Sequence, residues 1–213
     1  IAGALTVSLV AMVVCCVLCA TRERLDPLRL AASSKGIYIY LAECLAAALV
    51  LHLRAMFPWL FSGVVAQYWP MLVMALAFAA AATGEALERR DRGVLARPLG
   101  RTGIFLPALA LLDFFVASSQ VHYSIVLLTA GALYAVLAGL RRSVGIGLLA
   151  ALAINGSLWY LLQHTPGLGI AQHPQLWFIP PSLAALTAGH LNRARLREEQ
   201  RRALHYTCLL AIY

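Results

Sequence analysis

The first 35 residues, IAGALTVSLVAMVVCCVLCATRERLDPLRLAASSK, decide the fold class. An uncharged run that extends through Ala20 is followed at once by a segment holding Arg22, Arg24, Arg29 and Lys35. About 20 apolar residues suffice for one helical crossing of the hydrocarbon core. Short loops rich in Lys and Arg stay on the cytoplasmic side of a membrane. The stretch therefore predicts a transmembrane helix that ends at the inner surface.

The same alternation of apolar stretches and basic loops continues along the chain. Of the 17 Lys and Arg residues, only Arg54 lies outside the loops that this pattern predicts to be cytoplasmic. The later basic loops hold Arg89, Arg90, Arg92, Arg97 and Arg101, then Arg141 and Arg142, then Arg193, Arg195, Arg197, Arg201 and Arg202. The four tryptophans, Trp59, Trp69, Trp159 and Trp177, lie near the opposite ends of the apolar runs. Indole rings favour the head-group layer, so this second pattern indicates the same orientation.

Composition limits the class of protein further. Hydrophobic residues make up 62% of the chain and charged residues 12%, against roughly 45–50% and about 25% in soluble domains. Lipid must therefore cover part of the apolar surface. The net charge of +8 follows from the basic loops, so we predict anionic lipid head groups at the cytoplasmic face, and no nucleic acid, as partners.

These patterns predict an all-α fold, a polytopic transmembrane helical bundle with seven complete spans and the start of an eighth. The predicted spans are 1–20, 37–57, 70–88, 104–118, 123–140, 144–162 and 176–191, with an eighth from about residue 203. Pro70 is expected to open the third span, and Pro180 with Pro181 to kink or unwind the seventh. Residues 1–213 are expected to form a single transmembrane domain. Since both ends fall inside apolar runs, we expect a piece of a longer chain in a bacterial-type inner membrane.

Ionisable residues inside spans are costly, and they are the first candidates for a functional site. The candidates are Glu43, His52, Arg54, Glu85 and Asp113. Arg54 and Asp113 lie at similar depths from the outer surface, so they can form an ion pair; alternatively Arg54 extends to the head groups. Glu43 and Glu85 can form a proton relay in the inner half, or Glu85 belongs to a solvated helix end.

The outer connections collect His122, His164 and His173. Such histidines can bind a metal or act as a base, but solvated loop histidines are the favoured interpretation. The spacing lacks the metal-binding patterns H-x-x-x-H and H-E-x-x-H. We therefore predict no catalytic residue, metal site or cofactor.

A resemblance rests on three runs: Tyr38-Ile39-Tyr40-Leu41-Ala42-Glu43, Tyr68-Trp69-Pro70 and Leu176-Trp177-Phe178-Ile179-Pro180-Pro181. With these runs the chain resembles long multi-span bacterial membrane proteins of uncharacterised activity. The resemblance implies a piece of a larger bundle, and it carries over no functional residue.

Three function classes follow from the sequence. The favoured one is a non-enzymatic integral membrane subunit or scaffold. Other membrane subunits are the partners expected for such a protein. The first alternative is a transporter or channel that uses the polar groups of spans two to four and a proline-broken span seven. The second alternative is a membrane enzyme acting on a lipid-linked substrate at the outer rim.

Overall fold

The computed structural model describes residues 2–22, 25–30, 34–90, 93–114, 121–191 and 197–212. Within these ranges the chain forms eight α-helices and no strand. The helices are α1 (Ala2–Thr21), α2 (Gly36–Met56), α3 (Val64–Glu88), α4 (Gly93–Phe114), α5 (Tyr123–Arg141), α6 (Val144–His164), α7 (Pro174–Leu191) and α8 (Glu198–Ile212). A 3-10 turn, Pro58–Phe61, lies between α2 and α3. The predicted all-α class is confirmed for the described residues.

Within the part of the chain that the structure describes, six helices, α1 to α6, are long and apolar enough to cross a membrane. The chain is therefore a multi-pass helical membrane protein. The predicted count of seven spans is not confirmed. The helix α7 has 18 residues, and its prolines, Gln175 and His190 lower its mean hydropathy. The last helix, α8, begins at Glu198 rather than near residue 203, so its first turn is charged.

The start of α4 differs most from the sequence-based prediction. The helix begins at Gly93, not at residue 104, and it includes Arg97 and Arg101. Charged residues argued against a span there, but these two arginines are four residues apart and both are exposed. Side chains at this spacing lie on one side of a helix, and an arginine can lay its stem along the helix while its head group reaches water. The basic loop of the prediction is thus partly helical.

Prolines are accommodated inside helices instead of opening or breaking them. α3 begins at Val64, so the prediction that Pro70 opens the span is wrong. Pro70 has no N–H to donate to the Ala66 carbonyl. That carbonyl lies in the first turn of α3, where Gln67 is partly exposed and Tyr68 is exposed. Solvent can therefore donate a hydrogen bond to the Ala66 carbonyl.

The chain divides into two compact units, Ile1–Val121 and His122–Tyr213. In the first unit α3 and α4 are antiparallel and pack backbone to backbone. A Cβ atom added at Gly84 would lie 2.8 Å from the Gly100 nitrogen, and one added at Gly103 would lie 2.8 Å from the Ala81 nitrogen. Only glycine permits this approach, so the pair is fixed by small residues, as is common for membrane helices.

In the same unit α2 lies parallel to α4. The start of α2 is near Val94 and Pro98, where a Cβ at Gly36 would be 3.5 Å from the Pro98 ring. The end of α1 packs onto the start of α2, where Ala20, Tyr38 and Ile39 form a small buried cluster. The ends of α1 and α3 and the starts of α2 and α4 therefore lie at one end of the unit, which we call the basic end.

The second unit is built on the antiparallel pair of α5 and α6. The Ser157 hydroxyl donates to the Ser124 carbonyl (2.7 Å), and a Cβ at Gly131 would meet Ile154. α7 remains helical through Pro180 and Pro181, so the expected unwinding of that segment is wrong. α8 returns along α7, where Gly189 faces Leu204.

Candidate functional site

A cleft with a volume of about 370 Å³ opens at the basic end between α2 and α4. Its walls are formed by Gly36, Tyr40, Val94, Arg97, Pro98 and Arg101. On α2 the absence of a side chain at Gly36 leaves the space open, and on α4 the buried Pro98 lines the cleft opposite it. The parallel arrangement of the two helices brings both of their N-terminal turns to this cleft.

The cleft is positively charged. Arg97 and Arg101 line it from α4 and remain exposed. Arg101 Nη1 donates a hydrogen bond to the Tyr40 hydroxyl across the cleft (3.2 Å), which orients the guanidinium. The positive ends of two helix dipoles add to the field of the arginines. An anion with several oxygen acceptors therefore suits this arrangement.

A second polar contact joins α2 and α4 beyond Tyr40. The Thr102 hydroxyl donates to Glu43 Oε2 (2.8 Å). Glu43 Oε1 is buried and has no hydrogen-bond partner among the described residues. Glu43 was predicted as a candidate site residue, and the structure places it in a defined interhelical contact.

Glu85, the other member of the predicted relay, lies near the end of α3 and is partly buried. Its Oε2 atom is buried. The proton relay between Glu43 and Glu85 stays a prediction.

Asp26, which was not among the predicted site residues, holds the α1–α2 connection in place. Its Oδ1 atom accepts hydrogen bonds from the Tyr38 hydroxyl (2.6 Å) and the Leu28 N–H (3.1 Å), and Oδ2 accepts one from the Leu30 N–H (2.8 Å). The side chain is only 8% exposed. The signal that could have revealed it is the Asp26-Pro27 pair, because an Asp before Pro often starts a turn and bonds the backbone ahead of it.

The surroundings of Asp26 favour its charged form. The Tyr38 hydroxyl lowers the pKa of this carboxyl most, and the N–H groups of Leu30 and Leu28 and the charge of Lys35 act in the same direction, while burial opposes them. Donors aimed at a carboxylate stabilise the ionised state. Asp26 is therefore a structural anion that ties α1 to α2.

Two of the predicted outer-rim histidines meet on one tyrosine in the second unit. His164 stacks on the Tyr160 ring with centroids 4.0 Å apart, and His122 meets the same ring edge-on at 5.4 Å. His122 Nδ1 is 2.6 Å from Ser124 Oγ, and His164 Nδ1 is 2.8 Å from the Tyr160 carbonyl. His173 lies exposed before α7. No group of three His, Cys, Asp or Glu side chains able to hold a metal ion occurs in the described ranges.

The remaining candidates lie in the second half of α2 and at the end of α4. His52 is partly buried, and Arg54 is exposed in the last turn of α2. Asp113 belongs to the last turn of α4, but its side chain falls outside the described residues. The Arg54–Asp113 ion pair therefore stays a prediction.

Comparison of the chain with protein-family models, with curated proteins and with solved structures gives no significant match. The resemblance to long bacterial membrane proteins thus remains an expectation from the three sequence runs.

Proposed function

We propose that this protein is a non-enzymatic integral membrane subunit or scaffold of a bacterial-type cytoplasmic membrane. The observation that supports this best is the use of its polar side chains. In the first unit Thr102 binds Glu43, Arg101 binds Tyr40 and Tyr38 binds Asp26. In the second unit, Ser157 and Trp159 bind backbone carbonyls of neighbouring helices. These contacts join helices to one another or, at Asp26, to the connection between two helices. Polar side chains used in this way stabilise the bundle, as expected of a structural subunit.

The exposed surface of α1 supports the same proposal. Among the side chains of this helix that the structure describes, Ala20 in the last turn is the only buried one. The apolar side chains Val7 and Val14 are 69% and 51% exposed. On the opposite side of the helix, Leu5 and Met12 are 49% and 51% exposed. A subunit in a larger assembly would place one of these two faces against a neighbouring chain and the other against lipid.

A photo-crosslinking amino acid placed on each face in native membranes tests this proposal. Val7 and Val14 are seven residues apart and share one face, and Leu5 with Met12 forms a matched pair of similar exposure on another. We expect protein adducts from at least one of the two faces. If all four positions give lipid adducts only, the subunit role is contradicted for this helix.

A transport role is the second candidate, and Glu43 favours it. A carboxylate with one buried, unbonded oxygen and one oxygen on a hydroxyl offers a place to hold a proton or a small cation between α2 and α4. The expected result is ion or proton flux in proteoliposomes that Glu43→Gln abolishes. Glu198→Gln, which changes an exposed carboxylate on α8, is the control and should leave the flux unchanged. Absence of flux with the unaltered protein would contradict the transport role.

A further inference from the structure

We propose that the cleft between α2 and α4 at the basic end binds the phosphate of an anionic phospholipid. The proposal depends on the cleft alone and stands or falls separately from the subunit role. It goes beyond a general attraction of basic loops to lipid, because it assigns one site with named residues and a defined volume of about 370 Å³.

The arginines provide the anion site. Arg97 and Arg101 line the cleft from one helix side, and the Tyr40 hydroxyl that Arg101 contacts can donate its own hydrogen to a phosphate oxygen. Guanidinium groups bind phosphate with paired N–H donors, which gives both strength and direction. Basic pockets between membrane helices at the cytoplasmic surface are suited to lipid head groups.

The residues that follow along α4 favour a lipid over a free phosphate ion. Continuing at intervals of four from Arg101, Phe105 is 67% exposed and Leu109 57% exposed. Residues at this interval lie next to each other along one side of a helix. On α2, Ile37 and Leu41 are exposed beside Tyr40, next to the residues that line the cleft. The phosphate site is therefore continuous with exposed apolar surface on which acyl chains can lie.

Glu43 limits where the phosphate can sit. It lies three residues beyond Tyr40 on α2 and keeps one oxygen on Thr102. A phosphate placed as deep as Glu43 would meet a carboxylate, so the anion must stay near Arg97 and the helix starts. The cleft residues Gly36 and Val94 lie at that shallow level.

Lipid binding by the full chain in neutral detergent, counted by native mass spectrometry, tests the site. The probes are phosphatidylglycerol, phosphatidylcholine and glycerol 3-phosphate. We expect one saturable phosphatidylglycerol that phosphatidylcholine does not replace. Arg97→Gln with Arg101→Gln should weaken it by roughly fivefold for each arginine. Arg89→Gln with Arg90→Gln removes the same charge from exposed positions nearby and should leave this affinity almost unchanged.

A second variant tests the cleft without changing any charge. A Cβ atom added at Gly36 would lie at an ordinary contact distance of 3.5 Å from the Pro98 ring. Because Gly36 lines the cleft, Gly36→Leu should fill the space and also weaken phosphatidylglycerol binding. Equal losses in the two arginine pairs, or full binding by Gly36→Leu, would overturn the proposal. Binding of glycerol 3-phosphate as tight as that of the lipid would overturn the assignment to a lipid, since the acyl chains would then contribute nothing.

Discussion

The indole N–H of Trp159 on α6 donates a hydrogen bond to the backbone carbonyl of Trp177 on α7 (3.0 Å). In an unbroken helix this carbonyl would accept from the N–H four residues later, but that residue is Pro181, which has none. The neighbouring helix supplies the missing donor. This hydrogen bond satisfies the carbonyl that Pro181 leaves without a helical donor, in a segment of α7 that the sequence pattern predicted to kink or unwind.

Replacing Trp159 by Phe should therefore destabilise the contact between α6 and α7. The change removes the donor to the Trp177 carbonyl, and the loss of one such hydrogen bond costs about 0.5–1.5 kcal/mol. The free energy of unfolding in detergent measures it. Trp59→Phe, which changes a side chain that is 69% exposed, is the control and should have little effect.

The role of Pro181 can be tested in the same experiment. Pro181→Ala restores a backbone N–H that can donate to the Trp177 carbonyl, so Trp159→Phe should cost less in that background than in the original protein. A double-mutant cycle isolates this difference. Identical losses in both backgrounds would show that the indole does not replace the missing helical donor.

The close packing of α3 on α4 leads to a second prediction. Gly103→Ala would place a methyl group 2.8 Å from backbone and side-chain atoms of Ala81. The helices would have to separate, and overpacking of this kind costs about 1–3 kcal/mol. Thermal unfolding of the purified protein checks it. Gly139→Ala is the matched control, since nothing lies within 4 Å of its added Cβ, and it should be neutral or slightly stabilising. A neutral Gly103→Ala would show that the two helices have room to separate.

The sequence pattern predicts the all-α class and most of the helices, but it does not predict the cleft between α2 and α4. Hydropathy identifies α1, α2, α5 and α6 because each contains a run of apolar residues long enough for a helix to cross the hydrocarbon core. The predicted start of α4 was wrong because Arg97 and Arg101 were assigned to a basic loop. Their spacing of four residues is, however, typical of the surface of a helix. The cleft depends on which helices are neighbours in the folded chain. Residue spacing within each helix does not predict that α2 and α4 pack side by side in parallel.

Acid should weaken the α1–α2 connection through Asp26. Because the folded state lowers the pKa of this carboxyl below its ordinary value of 3.8, the stabilisation is fully present above that value. It is lost as the pH falls through the lower, folded-state pKa. Asp26→Asn removes the charge at every pH, so its stability should vary less with pH in the acid range. Unfolding followed by circular dichroism between about pH 2 and pH 7 tests this.

Tyr38→Phe provides the partner variant for Asp26. It deletes the hydroxyl that lowers the Asp26 pKa most and keeps the ring in the small cluster with Ala20 and Ile39. The acid-dependent part of the stability should then be smaller, and its loss should be complete at a higher pH than in the original protein, because the folded-state pKa of Asp26 lies closer to its ordinary value. An unchanged acid profile in Tyr38→Phe would contradict the stabilising role of this hydrogen bond.

The orientation of α3 gives the last prediction, and the charge pattern motivates it. Ser62 precedes this helix and Arg90 follows it, and both are exposed. The helix has 25 residues, which at about 1.5 Å per residue spans roughly 37 Å, more than the hydrocarbon core. Cysteines placed at Ser62 and Arg90, in a chain without its native thiols, should react with an impermeant reagent from opposite sides. The cysteine that replaces Ser62 should react in intact spheroplasts. The cysteine that replaces Arg90 should react only after the membrane is opened, because loops rich in basic residues stay on the cytoplasmic side. Labelling of both from one side would contradict the crossing of α3, and the reverse order would contradict the predicted orientation.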